Sequence, residues 1–387
     1  MSPKNYKIAI LAGDGIGHEV MVEAKKVLAT VSSKFQIGFE FDEKLVGGAA
    51  IDATGEALPA DTLTACENSD AILFGSVGGE KWNSLPPEKR PEVGALLPLR
   101  KHFDLFANIR PAGVLSMLKN SSPLKPEIIC DGFNFTVVRE LTGDVYFGEK
   151  KLTKDFGSDL MIYQKSQVER IARVAFELAR NSRQKVTNID KANVLATSQF
   201  WRSVVEEIHA KEFPEIELNH LYIDNATMQI LVRPQNFDII LAGNLFGDIL
   251  SDEAAQISGS IGLQASASIN SQKFGLFEPM GGSAPDIAGK GIANPIAQIG
   301  SAAMMLEISF GELAATKSIK KAILKTLESG CRTADIFTGF AGEKKVSTAE
   351  MGEEITKNLE GKKSYPKKSS SYLSSSRCSG RRFCRFL

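Results

Sequence analysis

Short apolar runs alternate with amphipathic stretches along most of this chain, and that alternation restricts its fold more than any other feature. KIAILAG (7–13) reads as a buried strand, and after it Val20, Ala24, Val27, Leu28 and Val31 fall on one face at helical spacing. DAILFGSVGG (70–79) is a strand running into a glycine-rich loop, and FNFTVVRE (133–140) alternates as a strand does. Val168, Ile171, Ala172, Ala175 and Ala179 mark a helix ending near Ser182. The strand-like runs KVTNID (185–190) and ELNHLYID (217–224) flank a helical SQFWRSVVEEI (198–208), and further helices are predicted over 296–314 and 317–329. No internal repeat is visible. Strands alternating with helices predict an α/β fold.

At 387 residues the chain has room for about two or three domains. Its formal net charge is zero, but eight of the 46 basic residues lie in residues 362–387, which hold no acid; residues 1–361 therefore carry 38 bases against 46 acids, a net charge of −8. The body is thus not a nucleic-acid binder by charge. Residues 362–387 read as a disordered basic tail, the one segment whose charge suits RNA or an anionic membrane. The five cysteines show no C-x-x-C spacing, which suits a reducing compartment. With no signal-peptide pattern and no apolar run of membrane-spanning length, the expected location is the cytoplasm.

Chemistry concentrates in a few segments. FDIILAG (237–243) reads as a buried strand and DILSDEAAQI as the start of a helix. Spacing of four puts Asp248 and Asp252 on one helical face, at the carboxyl end of a strand where ligands bind in open α/β sheets. Two carboxylates there suit Mg²⁺ or Mn²⁺; the plain alternative is acids placed to match the dipole of a first helical turn. Arg100, Arg110 and Arg139 could grip a dicarboxylate in bidentate fashion, or serve as structural charges. Tyr146 is either a proton donor or a core aromatic, and Lys191 either a base of lowered pKa or a surface lysine. Asp224 could add a third metal ligand, or cap a helix. Ala12-Gly-Asp-Gly-Ile-Gly-His18 has G-x-G-x-G spacing, which reads better as a tight strand-to-helix turn than as a dinucleotide fingerprint. Residues 277–295 form a loop-like stretch whose N–H groups could cradle a pyrophosphate, with Asp286 on a ribose diol.

Taken together, GDGIGHEV, GALLPLRKHFDLFANIRP, VVRELTGDVYFGE, DKANVL, GNLFGDILSDEA and EPMGGSAPDIAGKGIANP, in this order, resemble the isocitrate/isopropylmalate dehydrogenase family of β-decarboxylating dehydrogenases, from about residue 4 to about 360. The resemblance implies a two-domain α/β fold with one large mixed sheet running through both domains. Residues 1–105 with 259–361 would form a discontinuous cofactor domain, and 106–258 a substrate, metal and dimerisation domain. It also implies homodimers with shared active sites. Arg100, Arg110 and Arg139 would bind the malate carboxylates. Asp248 and Asp252 of one subunit, with Asp224 of the other, would hold Mg²⁺ or Mn²⁺. Tyr146 and Lys191 would be the catalytic pair, Lys191 reaching across from the partner. NAD would lie on the loop 78–91 and on 282–294, at Gly78, Gly79, Glu92, Gly282, Ser283, Ala284, Pro285, Asp286, Ile287 and Asn294. Asp286 would face the adenosine ribose and Asn294 the adenine.

Within the family, Leu96, Leu97 and Val194 correspond to the pocket for the substrate's γ-group. Apolar residues there suit an isopropyl group and would strand a γ-carboxylate unpaired, which implies 3-isopropylmalate, oxidatively decarboxylated to 2-oxo-4-methylpentanoate in leucine biosynthesis. Tartrate, malate or isocitrate are the alternative substrates. Asp286-Ile287 implies NAD, because a carboxylate accepts ribose hydroxyls and repels a 2′-phosphate. Two positions depart from the family pattern: Glu80 stands where proline is common and Gly281 where some members have histidine.

Overall fold

A computed structural model describes residues 4–361. The basic tail expected over 362–387, with Cys378 and Cys384, lies outside the described residues.

The first half of the chain runs β1 (Asn5–Gly13), α1 (Gly17–Phe35), β2 (Gly38–Glu43), α2 (Gly48–Thr54), α3 (Ala60–Glu67), β3 (Ala71–Ser76), α4 (Leu97–His102), β4 (Ala107–Leu115), α5 (Pro126–Ile129), β5 (Gly132–Glu140), β6 (Lys150–Leu152), β7 (Gly157–Asp159) and α6 (Lys165–Arg180). It continues through β8 (Lys185–Asp190), α7 (Ala196–Glu212), β9 (Glu217–Tyr222), α8 (Ile223–Val232), β10 (Ile239–Ala242), α9 (Asn244–Ile257), β11 (Ala265–Ile269), β12 (Gly275–Pro279), α10 (Ile296–Ile308), α11 (Leu313–Glu328), β13 (Cys331–Arg332), β14 (Lys344–Lys345) and α12 (Thr348–Glu360).

Ten strands form one mixed sheet in the order β2-β1-β3-β12-β11-β4-β5-β10-β8-β9. The two flanks are parallel: β2, β1, β3 and β12 on one side, and β5, β10, β8 and β9 on the other. Antiparallel pairings β12–β11, β11–β4 and β4–β5 join them. The join between β11 and β4 is short, three residue pairs from Ala267–Ile109 to Ile269–Ala107. Parallel strands need helical crossovers, so helices cover both faces and strands such as β3 and β10 are buried along their full length.

Several boundaries differ from those read in the sequence. The helix predicted over 296–314 ends at Ile308, because Gly311 takes a left-handed φ of 68° and a second helix starts at Leu313. The loop expected over 277–295 loses its first three residues to β12. Strand β9 stops at Tyr222, which is the N-cap of α8, so Asp224 is not a cap; it stands within the first turn.

Candidate active site

Two parallel β–α turns and the antiparallel centre of the sheet bring the site together. Strand β10 ends at Ala242 and α9 begins at Asn244, four residues earlier than its sequence suggests. Asp248 and Asp252 therefore lie beyond the first turn of α9, which holds no acid. This removes the reading of these aspartates as partners of the helix dipole, an effect confined to the terminal turn.

What faces them is cationic. Arg139 is buried on β5, and its guanidinium donates to Asp248 while also giving two bonds to Asn244 Oδ1, at 3.0 and 2.7 Å. Gly247 makes this approach possible, since a Cβ there would meet Arg139 Cβ and Cγ at 2.8 Å. Arg110, buried on β4, donates to Ser251 Oγ at 2.7 Å and reaches Asp248 and Asp252 at 3.5 and 3.4 Å; its Nε donates to Asn108. Arg100 at the end of α4 is buried against Glu278 at 3.0 Å. Burial opposes all this charge. It lowers the Arg110 pKa and, with Arg110 nearby, brings Arg139 down to about 10. Burial pushes the Asp248 carboxyl up, but Arg139, the Tyr146 hydroxyl and Arg110 together outweigh it and hold Asp248 below the usual carboxylate range. Asp252 shifts the other way, raised by burial despite Arg110.

Tyr146, just past β5, donates its hydroxyl to Asp248 Oδ2 at 2.7 Å, and the Arg139 guanidinium lies 5.4 Å from its ring centre. Burial, then the bond to Asp248, raises its pKa and keeps the phenol protonated. Lys191 and Asp224 form a separate pair at the ends of β8 and β9, with Lys191 Nζ 2.7 Å from Asp224 Oδ1. That bond holds the exposed Asp224 carboxyl below its ordinary pKa. Among the described residues no hydrogen bond or ion pair joins this pair to the Asp248 cluster, and no three His, Cys, Asp or Glu gather as a metal site.

A cavity of about 150 Å³ adjoins the arginines, lined by Leu96, Arg100, Arg110, Glu92, Glu278 and Gly282 among others. Leu97 and Val194 are not among its walls, and Val194 is 67% exposed. A larger cavity of about 430 Å³ lies between β4 and the α10–α11 pair, but its walls are mainly apolar and carry none of the site arginines.

The glycine-rich segments meet on the same side. Ser283 Oγ donates to the Gly78 carbonyl at 2.7 Å, and a Cβ on Gly78 would meet Glu92 Oε1 at 2.0 Å. Gly282 leaves backbone open beside them, while a Cβ on Gly79 would meet the Trp82 ring at 3.0 Å; Ala284 takes φ 39°, Pro285 and Asp286 are exposed, and Ile287 is half-buried. Asn294 is buried, its amide donating to Asp335 at 3.0 Å. Sequence reasoning missed Asn108, Asn244, Ser251 and Glu278, which orient the arginines. Glu278 carried a signal, a lone carboxylate closing a strand before a glycine-rich turn; the asparagines carried none.

Comparison with known proteins agrees with this architecture. The isocitrate/isopropylmalate dehydrogenase family model matches residues 7–355. A 3-isopropylmalate dehydrogenase of Vibrio vulnificus (strain YJ016) is 57% identical over 365 residues, covering 93% of this chain and 99% of the relative. One from Desulfotalea psychrophila is 57% identical over 358 residues, covering 91% and 99%. Among solved structures, isocitrate dehydrogenase from Methylococcus capsulatus superposes with a TM-score of 0.80 at 33% identity, covering 92% of this chain and 99% of that one.

Proposed function

The chain belongs to the isocitrate/isopropylmalate dehydrogenase family, and we propose that it oxidatively decarboxylates 3-isopropylmalate to 2-oxo-4-methylpentanoate with reduction of NAD, in leucine biosynthesis. The observation that carries this reading is a cavity lined by buried Arg100 and Arg110 together with Leu96, with buried Arg139 joined to Arg110 through Asp248. Guanidinium forks suit the two carboxylates of a malate, and the leucine offers nothing to a third carboxylate. The relatives at 56–57% identity bear the same activity in their names.

Mg²⁺ or Mn²⁺ fits the donor set of hard carboxylate oxygens one turn apart on α9, Asp248 and the exposed Asp252. Among the described residues these two carboxylates stand together, and in the homodimer proposed here the partner subunit's Asp224 completes the set. A bound cation supplies Lewis-acid polarisation of the C2 hydroxyl and charge stabilisation at the C2 oxygen as carbon dioxide departs, while NAD is the hydride acceptor. Arg100, Arg110 and Arg139 orient the malate carboxylates. Lys191, reaching across from the partner, takes the C2 hydroxyl proton. Tyr146, held protonated by burial and by Asp248, delivers a proton to C3 after decarboxylation. Leu96, with Leu97 and Val194, takes the isopropyl group.

For NAD, Gly282 leaves room for backbone to approach a dinucleotide, Gly78 and Gly79 pack against Glu92 and Trp82 at the border of that space, and the exposed Asp286 is available to accept ribose hydroxyls. A domain division at 105/106 and 258/259 would put the cofactor segments on one unit and the metal and dimer helices on the other. Lack of a helix long and apolar enough to cross a membrane, among the described residues, is compatible with a cytoplasmic enzyme.

Initial rates of NAD reduction with Mg²⁺ on isopropylmalate, isocitrate, malate and tartrate test the assignment. Isopropylmalate should give the highest kcat/KM; faster turnover of isocitrate would refute the substrate.

A further inference from the structure

The glycine turn Gly13–Gly17 takes no part in the reading above, yet three segments of the cofactor side are fastened to it. Asp14 is buried. Its carboxylate accepts the backbone N–H of Gly78 at 2.8 Å, of Gly48 at 2.8 Å and of Ala49 at 2.7 Å. Its own N–H donates to the Ser76 carbonyl at 2.6 Å, and Ser76 Oγ returns a bond to the Asp14 carbonyl at 2.9 Å. Two residues on, Ile16 N–H donates to the Ser283 carbonyl at 2.8 Å, and Ser283 Oγ closes the circuit on the Gly78 carbonyl.

The glycines of this turn are explained by the same contacts. Gly13 and Gly15 have φ of 73° and 55°, and a Cβ on either would stand 2.0 Å from a carbonyl oxygen, Ser76 O and Ser283 O respectively. Their freedom is therefore spent on packing backbone against backbone; no open face remains at these two positions for a pyrophosphate. One turn thus ties the loop after β3 to the segment around Ser283, which are distant in sequence and are the two stretches proposed to hold NAD.

We infer that Asp14 is a positioning residue for the cofactor: its carboxylate anchors the 78–79 loop through the Gly78 N–H and the start of α2 through Gly48 and Ala49, in the same turn whose Ile16 N–H holds the Ser283 carbonyl. This rests on the NAD reading of those segments. Removing the carboxylate leaves three backbone N–H groups, two of them buried, without their acceptor and frees the 78–79 loop, while the arginine cluster on β4, β5 and α4 keeps its own partners.

The test measures KM for NAD and for isopropylmalate, kcat and thermal stability in Asp14→Ala, Asp14→Asn, Ser283→Ala, the double variant Asp14→Asn/Ser283→Ala, and Asp286→Ala. A loss worth one net hydrogen bond predicts a rise of about tenfold in KM for NAD in Asp14→Ala, with KM for isopropylmalate changed less than about twofold. Asp14→Asn, which keeps one acceptor oxygen, should fall between it and the parent. The double variant should show less than the product of its two single effects, because both act on the Gly78 loop. An unmoved KM for NAD in Asp14→Asn and Ser283→Ala, beside a raised one in Asp286→Ala, overturns the inference and leaves the NAD reading standing. Equal rises in both KM values, or lost stability without a cofactor effect, overturn it too. An unmoved KM for NAD in Asp286→Ala overturns the cofactor reading itself. Should Asp14→Ala fail to fold, the Asn and Ser283 variants decide.

Discussion

Arg139 shows how a single buried charge is made tolerable. Without Asp248 and Asn244 its guanidinium would be desolvated and unpaired, a cost of several kcal/mol. Its acceptors come from α9, and the close packing of α9 on β5 requires Gly247, in the first turn of α9, to lack a side chain. Gly247→Ala should destabilise the protein by about 1–3 kcal/mol in denaturant melts, as overpacking does, and raise KM for isopropylmalate because Arg139 must shift. Asp248→Asn keeps an acceptor for Arg139 but weakens the cation site; turnover should fall about 10³-fold or more, with circular dichroism and NAD binding nearly unchanged, and near-normal activity would refute the metal role. Arg139, Asp248 and Tyr146 were legible because their residue types announce charge or proton chemistry. Asn244 and Gly247 were not, because an asparagine acceptor and a missing Cβ acquire meaning only once the facing strand is known.

Strands were more legible than the ends of helices. Apolar runs of β3 and β10 are buried on both faces, so composition alone marks them. The start of α9 was missed because Gly243 has no side chain with which to cap the helix, and the end of α10 because its sequence stays apolar up to Gly311. Helix α12 is the opposite case: Ser347 and Glu350 form a reciprocal capping box at its start. Ser347→Ala should cost about 1 kcal/mol, seen as a fall in Tm of roughly 2–4 °C. The same helix packs on α1 and α11, so the loss should spread to the cofactor side of the sheet before it reaches the arginines.

Over the whole molecule, the mixed sheet and the assignment of Asp224 and Lys191 to a partner's site came from the resemblance of six motifs, not from the pattern of any one of them. Lys191 pairs with Asp224, away from Asp248. The hairpin β6–β7 and the helices α8 and α9 leave Leu152, Phe156, Met228, Val232 and Ile249 exposed, with Leu152 at 89%. These exposed apolar side chains support the proposed homodimer. Shared sites make a sharp prediction. Mixing subunits carrying Asp248→Asn with subunits carrying Lys191→Ala, each inactive alone, should restore about a quarter of parental activity, since half the dimers are hybrid and each hybrid retains one intact site. No recovery after subunit exchange would place each site within a single chain.

The three-pair seam between β11 and β4 has a mechanical corollary. With two residue pairs between β12 and β3 and three between β11 and β4, against five and nine at the junctions β11–β12 and β4–β5, the sheet is held by the fewest rungs at these two seams, and the one beside Asn108 and Arg110 is a crease along which the flanks can flex. A substrate gripped from one flank and a dinucleotide from the other would brace that crease like a strut. Deuterium uptake at residues 107–109 and 267–269 should therefore slow when both are bound, and more than with either alone.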